Sequence, residues 1–207
     1  AQAAEMTGDT RTAEASYRKL LGKEETRFVG VRGLMHQKLA IGDTDTALGL
    51  ARKAFEIKPK HEEVQNTLLK LQAEKSDWSG ARETLGAKLK SGNLPRDVYK
   101  RRDAVLALSE AKDILDEGQS MEAREAAIQA NKLSPDLIPA TVMAARAMIS
   151  DNHGRGARRI LAQTWTVNPH PDAAAAFAHI APPGAPHAQP HRLRPRTQQN
   201  AAPPTTQ

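Results

Sequence analysis

A short pattern that returns at nearly constant spacing constrains the fold of this 207-residue chain more than any other feature. The pattern is a turn residue, usually glycine, followed five positions later by an alanine, and successive alanines are 34, 34, 42 and 34 residues apart. A period of 34 residues is that of the tetratricopeptide repeat, in which pairs of helices stack on one another. The turn residues are Gly8, Gly42, Ser76, Gly118 and Asn152, and the anchor alanines are Ala13, Ala47, Ala81, Ala123 and Ala157.

A second marker keeps the same period. Pro59, Pro135 and Pro169 each follow an anchor alanine by twelve residues, and proline cannot continue a helix interior. The prolines therefore predict where the second helix of each pair ends. The single 42-residue interval predicts one unit lengthened by eight residues, about two helical turns. The predicted fold is all-α, a tetratricopeptide-like right-handed α-solenoid of about four to five helix pairs.

The composition predicts a helical repeat region followed by a disordered tail. Aromatic residues make up only 3% of the chain, and a repeat packed on alanine, the best helix former, suits such a composition. Residues 182–207 hold seven of the thirteen prolines and no acidic residue, so this tail is expected to be disordered. The predicted domain is a solenoid over 1–181 with a truncated first repeat. Its helices are predicted near 10–23, 26–41, 44–57, 60–75, 78–91, 95–117, 120–133, 136–151, 154–167 and 171–180.

Several classes of function find no signal in the sequence. The chain has no cysteine, which excludes disulfides and cysteine-ligated zinc. Of its seven histidines, only His187 and His191 are four residues apart, and the proline-rich tail will not hold them on one helix face. Neither a phosphate-binding loop nor a serine-nucleophile motif is present. The formal charge of +6 includes three arginines of the tail, which leaves too little for a nucleic-acid interface. The sequence therefore predicts no enzyme, no metal and no cofactor.

The predicted partner-binding groove follows from the repeat. The first helix of each pair lines the inner face of a solenoid, where partners usually bind. Eleven residues before four of the anchor alanines lie His36, Lys70, Lys112 and Arg146, and one turn earlier lie Arg32, Asn66, Leu108 and Val142. A row of cations predicts a protein partner with an acidic segment or a free carboxylate. The alternative is an ordinary solvated helix face.

A basic patch, Lys100, Arg101 and Arg102, lies on the lengthened helix. It suits phospholipid headgroups or an anionic partner, and the alternative is salt bridging to nearby acids. Trp78 and Trp165 are predicted to pack between repeats, and His170 to be a turn residue.

The chain resembles the tetratricopeptide region of the bacterial HemY family, the membrane protein associated with haem biosynthesis. The resemblance covers roughly 1–180. It rests on ETRFVGVRGL, GDTDTALGLARKAFEIKP, YKRRDAVLAL, KLSPDLIPA and WTVNPHPDAAAAFAHI, which begin at Glu25, Gly42, Tyr99, Lys132 and Trp165. Two features depart from the family: its pair of amino-terminal transmembrane helices is missing, and the tail after Pro182 differs.

The resemblance implies a non-catalytic scaffold that supports late haem (protohaem) synthesis at the inner membrane, with haem-pathway enzymes as partners. It offers no catalytic residues. The missing helices imply that this is a piece of a longer chain, joined to the membrane only through them, with the soluble repeats facing the cytoplasm. Two alternatives remain: an adaptor for another envelope complex, or a haem or porphyrin carrier.

Overall fold

The computed structural model describes residues 8–116 and 120–180, and within these ranges all regular secondary structure is α-helical. The predicted tail 182–207, the beginning of the truncated first repeat and Gly118 lie outside the described residues. The helices are α1 (Thr10–Leu20), α2 (Glu24–Ala40), α3 (Thr44–Ile57), α4 (Glu62–Glu74), α5 (Trp78–Lys90), α6 (Arg96–Asp116), α7 (Ser120–Leu133), α8 (Ile138–Ser150), α9 (Gly154–Val167) and α10 (Pro171–Ala178).

The turn residues of the repeat adopt the left-handed backbone conformation that ends a helix. Gly8 and Gly42 both have φ of +77°. Asn152 and Ser76 have φ of +60° and +55°, although serine rarely adopts this conformation. The same turn geometry is therefore built from three residue types.

Aspartates directly after three of these turns cap the next helix. Each carboxylate accepts a hydrogen bond from a backbone N–H that has no partner within the helix. The pairs are Asp9 with Thr12 (3.0 Å), Asp43 with Thr46 (3.1 Å) and Asp77 with Gly80 (3.0 Å).

The chain divides into two compact units, Ala1–Tyr99 and Lys100–Gln207. In the first unit, α1 to α5 pack each on the next in chain order. The anchor alanines Ala13, Ala47 and Ala81 are fully buried, because a small side chain lets the helices approach closely. Met35 and Leu68 fill the space beside Ala47.

The second unit contains most of α6 and all of α7 to α10. Here α8 packs against α7, α9 and α10, and the anchors Ala123 and Ala157 are 1% and 0% exposed. α6 has 21 residues, eight more than α4 or α8, which accounts for the 42-residue interval. Each unit thus stacks helix pairs in sequence, the arrangement of a tetratricopeptide-like α-solenoid.

The helices that follow two of the prolines begin two residues later than predicted, at Glu62 and Ile138. A turn fills the difference in both repeats. The N–H of His61 donates to the carbonyl of Lys58, and the N–H of Leu137 donates to that of Ser134 (3.1 and 3.0 Å).

Buried polar side chains bind the carbonyl groups of these proline turns. In the first unit, the Gln65 side chain donates to the Pro59 carbonyl at 2.7 Å. In the second, the Thr164 hydroxyl donates to the Pro135 carbonyl at 2.6 Å and lies 3.0 Å from the Thr141 hydroxyl. The Asn131 amide donates to Thr141 at 2.8 Å. Each turn carbonyl is therefore held by the helices that follow it.

Candidate partner-binding site

A pocket of about 630 Å³ in the second unit contains two of the predicted groove residues. It lies between α6, the beginning of α7, α8 and α10. Lys112 enters from α6 and Arg146 from α8, while the walls are mainly apolar. Those walls are formed by Leu115, Ala123, Pro139, Val142, Met143, Ala147 and Ala175.

The cations of this pocket differ in their partners. Arg124 lies 2.6 Å from the carboxylate of Asp151, and this ion pair offsets its charge. Lys112 and Arg146 are exposed, and neither lies within ion-pair distance of an acidic side chain in the described part of the chain. Two positive charges beside an apolar wall are suited to an anionic group attached to an apolar body.

The equivalent residues of the first unit are engaged with their own neighbours. Glu63 of α4 lies 3.3 Å from Arg32 and 2.6 Å from His36. Lys70 pairs with Glu74 one turn away at 3.7 Å, and the Asn66 side chain accepts a hydrogen bond from Lys88. Among the described residues, the predicted row of groove residues therefore has unpaired cations only at Lys112 and Arg146.

The three residues of the predicted basic patch also differ in their partners. Arg101 forms an ion pair with Asp136 and donates to the Ser134 hydroxyl at 3.2 Å. Lys100 and Arg102 are exposed. Arg101 therefore follows the alternative stated from the sequence, salt bridging to a nearby acid.

The pKa of the Asp136 carboxyl is lowered from its ordinary value of 3.8, first by the hydrogen bond from Ser134 and further by the charge of Arg101. Because the folded-state pKa is lowered, this carboxylate stabilises the fold above pH 3.8, and the contribution is lost as the pH falls through the lowered pKa. We expect Ser134→Ala and Arg101→Gln each to raise the pKa of Asp136 in a carboxyl-detected NMR titration. Asp43, in the other unit, is the internal control, and an unchanged Asp136 titration in both variants would contradict the assignment.

Other sequence predictions can be placed in the structure. His170 caps α10, and its Nδ1 accepts a hydrogen bond from the backbone N–H of Asp172 at 3.2 Å. Trp165 is partly buried against the core of the second unit. Over residues 8–116 and 120–180, no cluster of histidine and acidic side chains has the arrangement of a metal site. None of the helices in these ranges is both long and apolar enough to span a bilayer.

Sequence reasoning did not single out several lining residues of the pocket. Arg124 follows an anchor alanine, and Arg82 and Arg158 hold the same position in two other repeats. This recurrence is a signal that the sequence offers, although Glu14 and Leu48 interrupt it. Asp172, near the start of α10, also lines the pocket. Leu115 lies eight residues before its anchor alanine, where other repeats hold Leu39, Ala73 and Ile149. An apolar residue at this position is typical of helix packing and gave no reason to expect a pocket.

Comparison with known proteins gives structural neighbours only. No protein-family description and no curated protein matches the chain. Among solved structures, it is similar to YrrB, described as a TPR protein with an unusual peptide-binding site (14% identity, TM-score 0.43, covering 81% of this chain and 83% of that one). It is also similar to MamA of Desulfovibrio magneticus RS-1 (14%, 0.38, 80% and 89%) and to TTC0263, a thermophilic TPR protein of Thermus thermophilus (18%, 0.34, 71% and 77%). At these identities, the similarity concerns the fold alone.

Proposed function

We propose that this chain is a non-catalytic protein-binding scaffold and that its docking surface is the pocket of the second unit. The observation that carries the proposal is the pair Lys112 and Arg146, two cations without an acidic partner among the described residues, beside an apolar wall. A charge-assisted hydrogen bond is stronger than a neutral one. The apolar wall adds contact area that a free ion would not use.

Charge complementarity defines the partner. An acidic segment would bring carboxylates to the two cations and place an apolar side chain on Val142 and Met143. The first unit is a poorer docking surface for the same segment, because Glu63 and Glu74 would repel it.

The proposed setting is late haem biosynthesis at the bacterial inner membrane, with the repeats on the cytoplasmic side. The support is the resemblance of the repeat segments to the HemY family. Co-purification from membranes tests this setting. Haem-pathway enzymes should be recovered with the full-length protein and lost with the pocket variant described next, and recovery of an unrelated envelope complex would favour the adaptor alternative.

Charge reversal tests the docking surface itself. Lys112→Glu combined with Arg146→Glu should weaken binding of a fluorescein-labelled peptide of alternating glutamate, serine and leucine by at least about tenfold, because two charge-assisted contacts become repulsive. Fluorescence anisotropy at low salt measures the change, since salt screens exposed charges.

The matched control reverses two charges in the first unit, Arg32→Glu and Lys70→Glu. It changes the net charge by the same amount, and we expect less than about a twofold loss, because these side chains already face their own acids. Equal losses in the two double variants would indicate a general charge effect and would remove the pocket from the proposal.

A further inference from the structure

The pocket of the second unit carries its charges in a fixed order. Lys112 belongs to α6, Arg146 to α8 and Asp172 to α10, which are the successive first helices of their pairs. α8 packs directly against α10. A chain laid across these helices from α6 would meet two positive charges and then a negative one.

The negative charge of Asp172 is available to a partner. Its side chain is 71% exposed, and the nearest basic group is Nδ1 of His170, 3.6 Å away. That nitrogen accepts a hydrogen bond from the backbone N–H of Asp172, and the exposed carboxylate remains accessible to a partner. Acidic groups of a partner are repelled at this end of the pocket.

We propose that the occupant is an extended peptide segment whose inward side chains run acidic, apolar, acidic and basic from α6 to α10. This inference rests on the proposed function and adds a direction to it. Alternate residues of an extended chain face the same side, and each residue adds about 3.3 Å. Two acidic side chains four positions apart are thus about 13 Å apart. This exceeds the separation of about 8–10 Å between the axes of packed helices by a few ångströms, which the long Lys112 and Arg146 side chains can span.

The positions between the acids fit the rest of the pocket. The inward residue midway between the acids faces the apolar wall at Val142 and Met143. The basic residue, two positions beyond the second acid, faces Asp172. Of the four contacts, the one between the basic residue and Asp172 decides which way round the segment binds.

Two synthetic peptides test the direction. Both peptides contain the sequence Glu-Ser-Leu-Ser-Glu-Ser. The residue that follows it is lysine in the first peptide and glutamate in the second. We expect the chain to bind the lysine peptide about threefold more tightly, as suits one exposed charge pair. Asp172→Lys should reverse the preference, and Asp172→Asn should abolish it, which provides a second variant if the reversal perturbs α10.

The outcomes separate this inference from the proposed function. If Lys112→Glu with Arg146→Glu still weakens binding by at least about tenfold but the two peptides bind alike in every variant, the docking surface stands and the direction is overturned. If that double variant binds both peptides normally, the docking surface itself fails. Peptide that becomes helical on binding, seen by circular dichroism, or concentration-dependent self-association that involves the pocket, would replace the extended occupant with a helix or a second copy.

Discussion

Gly33→Ala should destabilise the first unit by about 3 kcal/mol, at the upper end of what one added methyl group costs in a packed core. Gly33 of α2 lies against the face of the Tyr17 ring of α1, and an added Cβ would come within 3.0 Å of three ring carbons. Tyr17 is only 5% exposed and packs with Ala13 and Leu34, so the ring cannot move away without disturbing its neighbours. Denaturant unfolding followed by circular dichroism measures the loss.

A matched substitution removes the effect of alanine itself. Gly49 lies in the interior of α3 with open space where its Cβ would be, so Gly49→Ala should stabilise the chain by about 0.5–1 kcal/mol through helix propensity. Adding Tyr17→Leu to Gly33→Ala should cost less than the sum of the single changes, because the two residues are in contact. A Gly33→Ala variant as stable as the parent would show that α1 and α2 are not this close.

Thr141→Val should destabilise the second unit by about 2–3 kcal/mol, although it preserves the shape of the side chain. Thr141 is the middle member of a buried chain of hydrogen bonds that runs from the Asn131 amide through the Thr164 hydroxyl to the Pro135 carbonyl. Its removal leaves the Asn131 amide buried without its acceptor, and the penalty of an unsatisfied donor exceeds the value of the lost bond. Denaturant unfolding followed by circular dichroism measures this loss as well.

The control is another threonine two residues beyond Thr164. Thr166 is exposed, and its hydroxyl donates to the Gln163 carbonyl within α9, so Thr166→Val should change stability by less than about 0.5 kcal/mol. The Thr141→Val and Thr164→Val changes combined should cost less than their sum, because they break one connected chain. Additive effects would show that the hydroxyl groups act separately.

Much of the fold could be predicted from the sequence because the turns and helix ends of the repeat are determined by residues close to them in the chain. Glycine and asparagine at the turns, aspartate after them and proline at the helix ends each act within a few residues. Ser76 shows the same geometry imposed on a residue that does not prefer it. Position in the repeat located this turn, and composition alone would have missed it.

The candidate site was less predictable because charge pairing depends on residues far apart in sequence. The period places His36, Lys70, Lys112 and Arg146 in equivalent positions, but it does not reveal that Glu63 approaches His36 from the next first helix. For the buried polar side chains, the repeat position was visible in the sequence but the hydrogen-bond partner was not. Gln65 and Thr141 both lie sixteen residues before an anchor alanine, a correspondence that is visible in the sequence but became meaningful only with the Pro59 and Pro135 carbonyls as their partners.

The bound carbonyl of Pro135 has a consequence for how one alignment of the helices is selected. Contacts between alanines specify the alignment of two helices less strongly than contacts between large side chains, and Ala140 and Ala144 of α8 are both fully buried. A directional hydrogen bond does not tolerate the sliding of one helix along its neighbour. The hydrogen bonds to the Pro135 carbonyl and between the Thr141 and Thr164 hydroxyl groups therefore help to select a single alignment of the helices in the second unit. Removing them should broaden or multiply the NMR signals of α8 before the helical content falls.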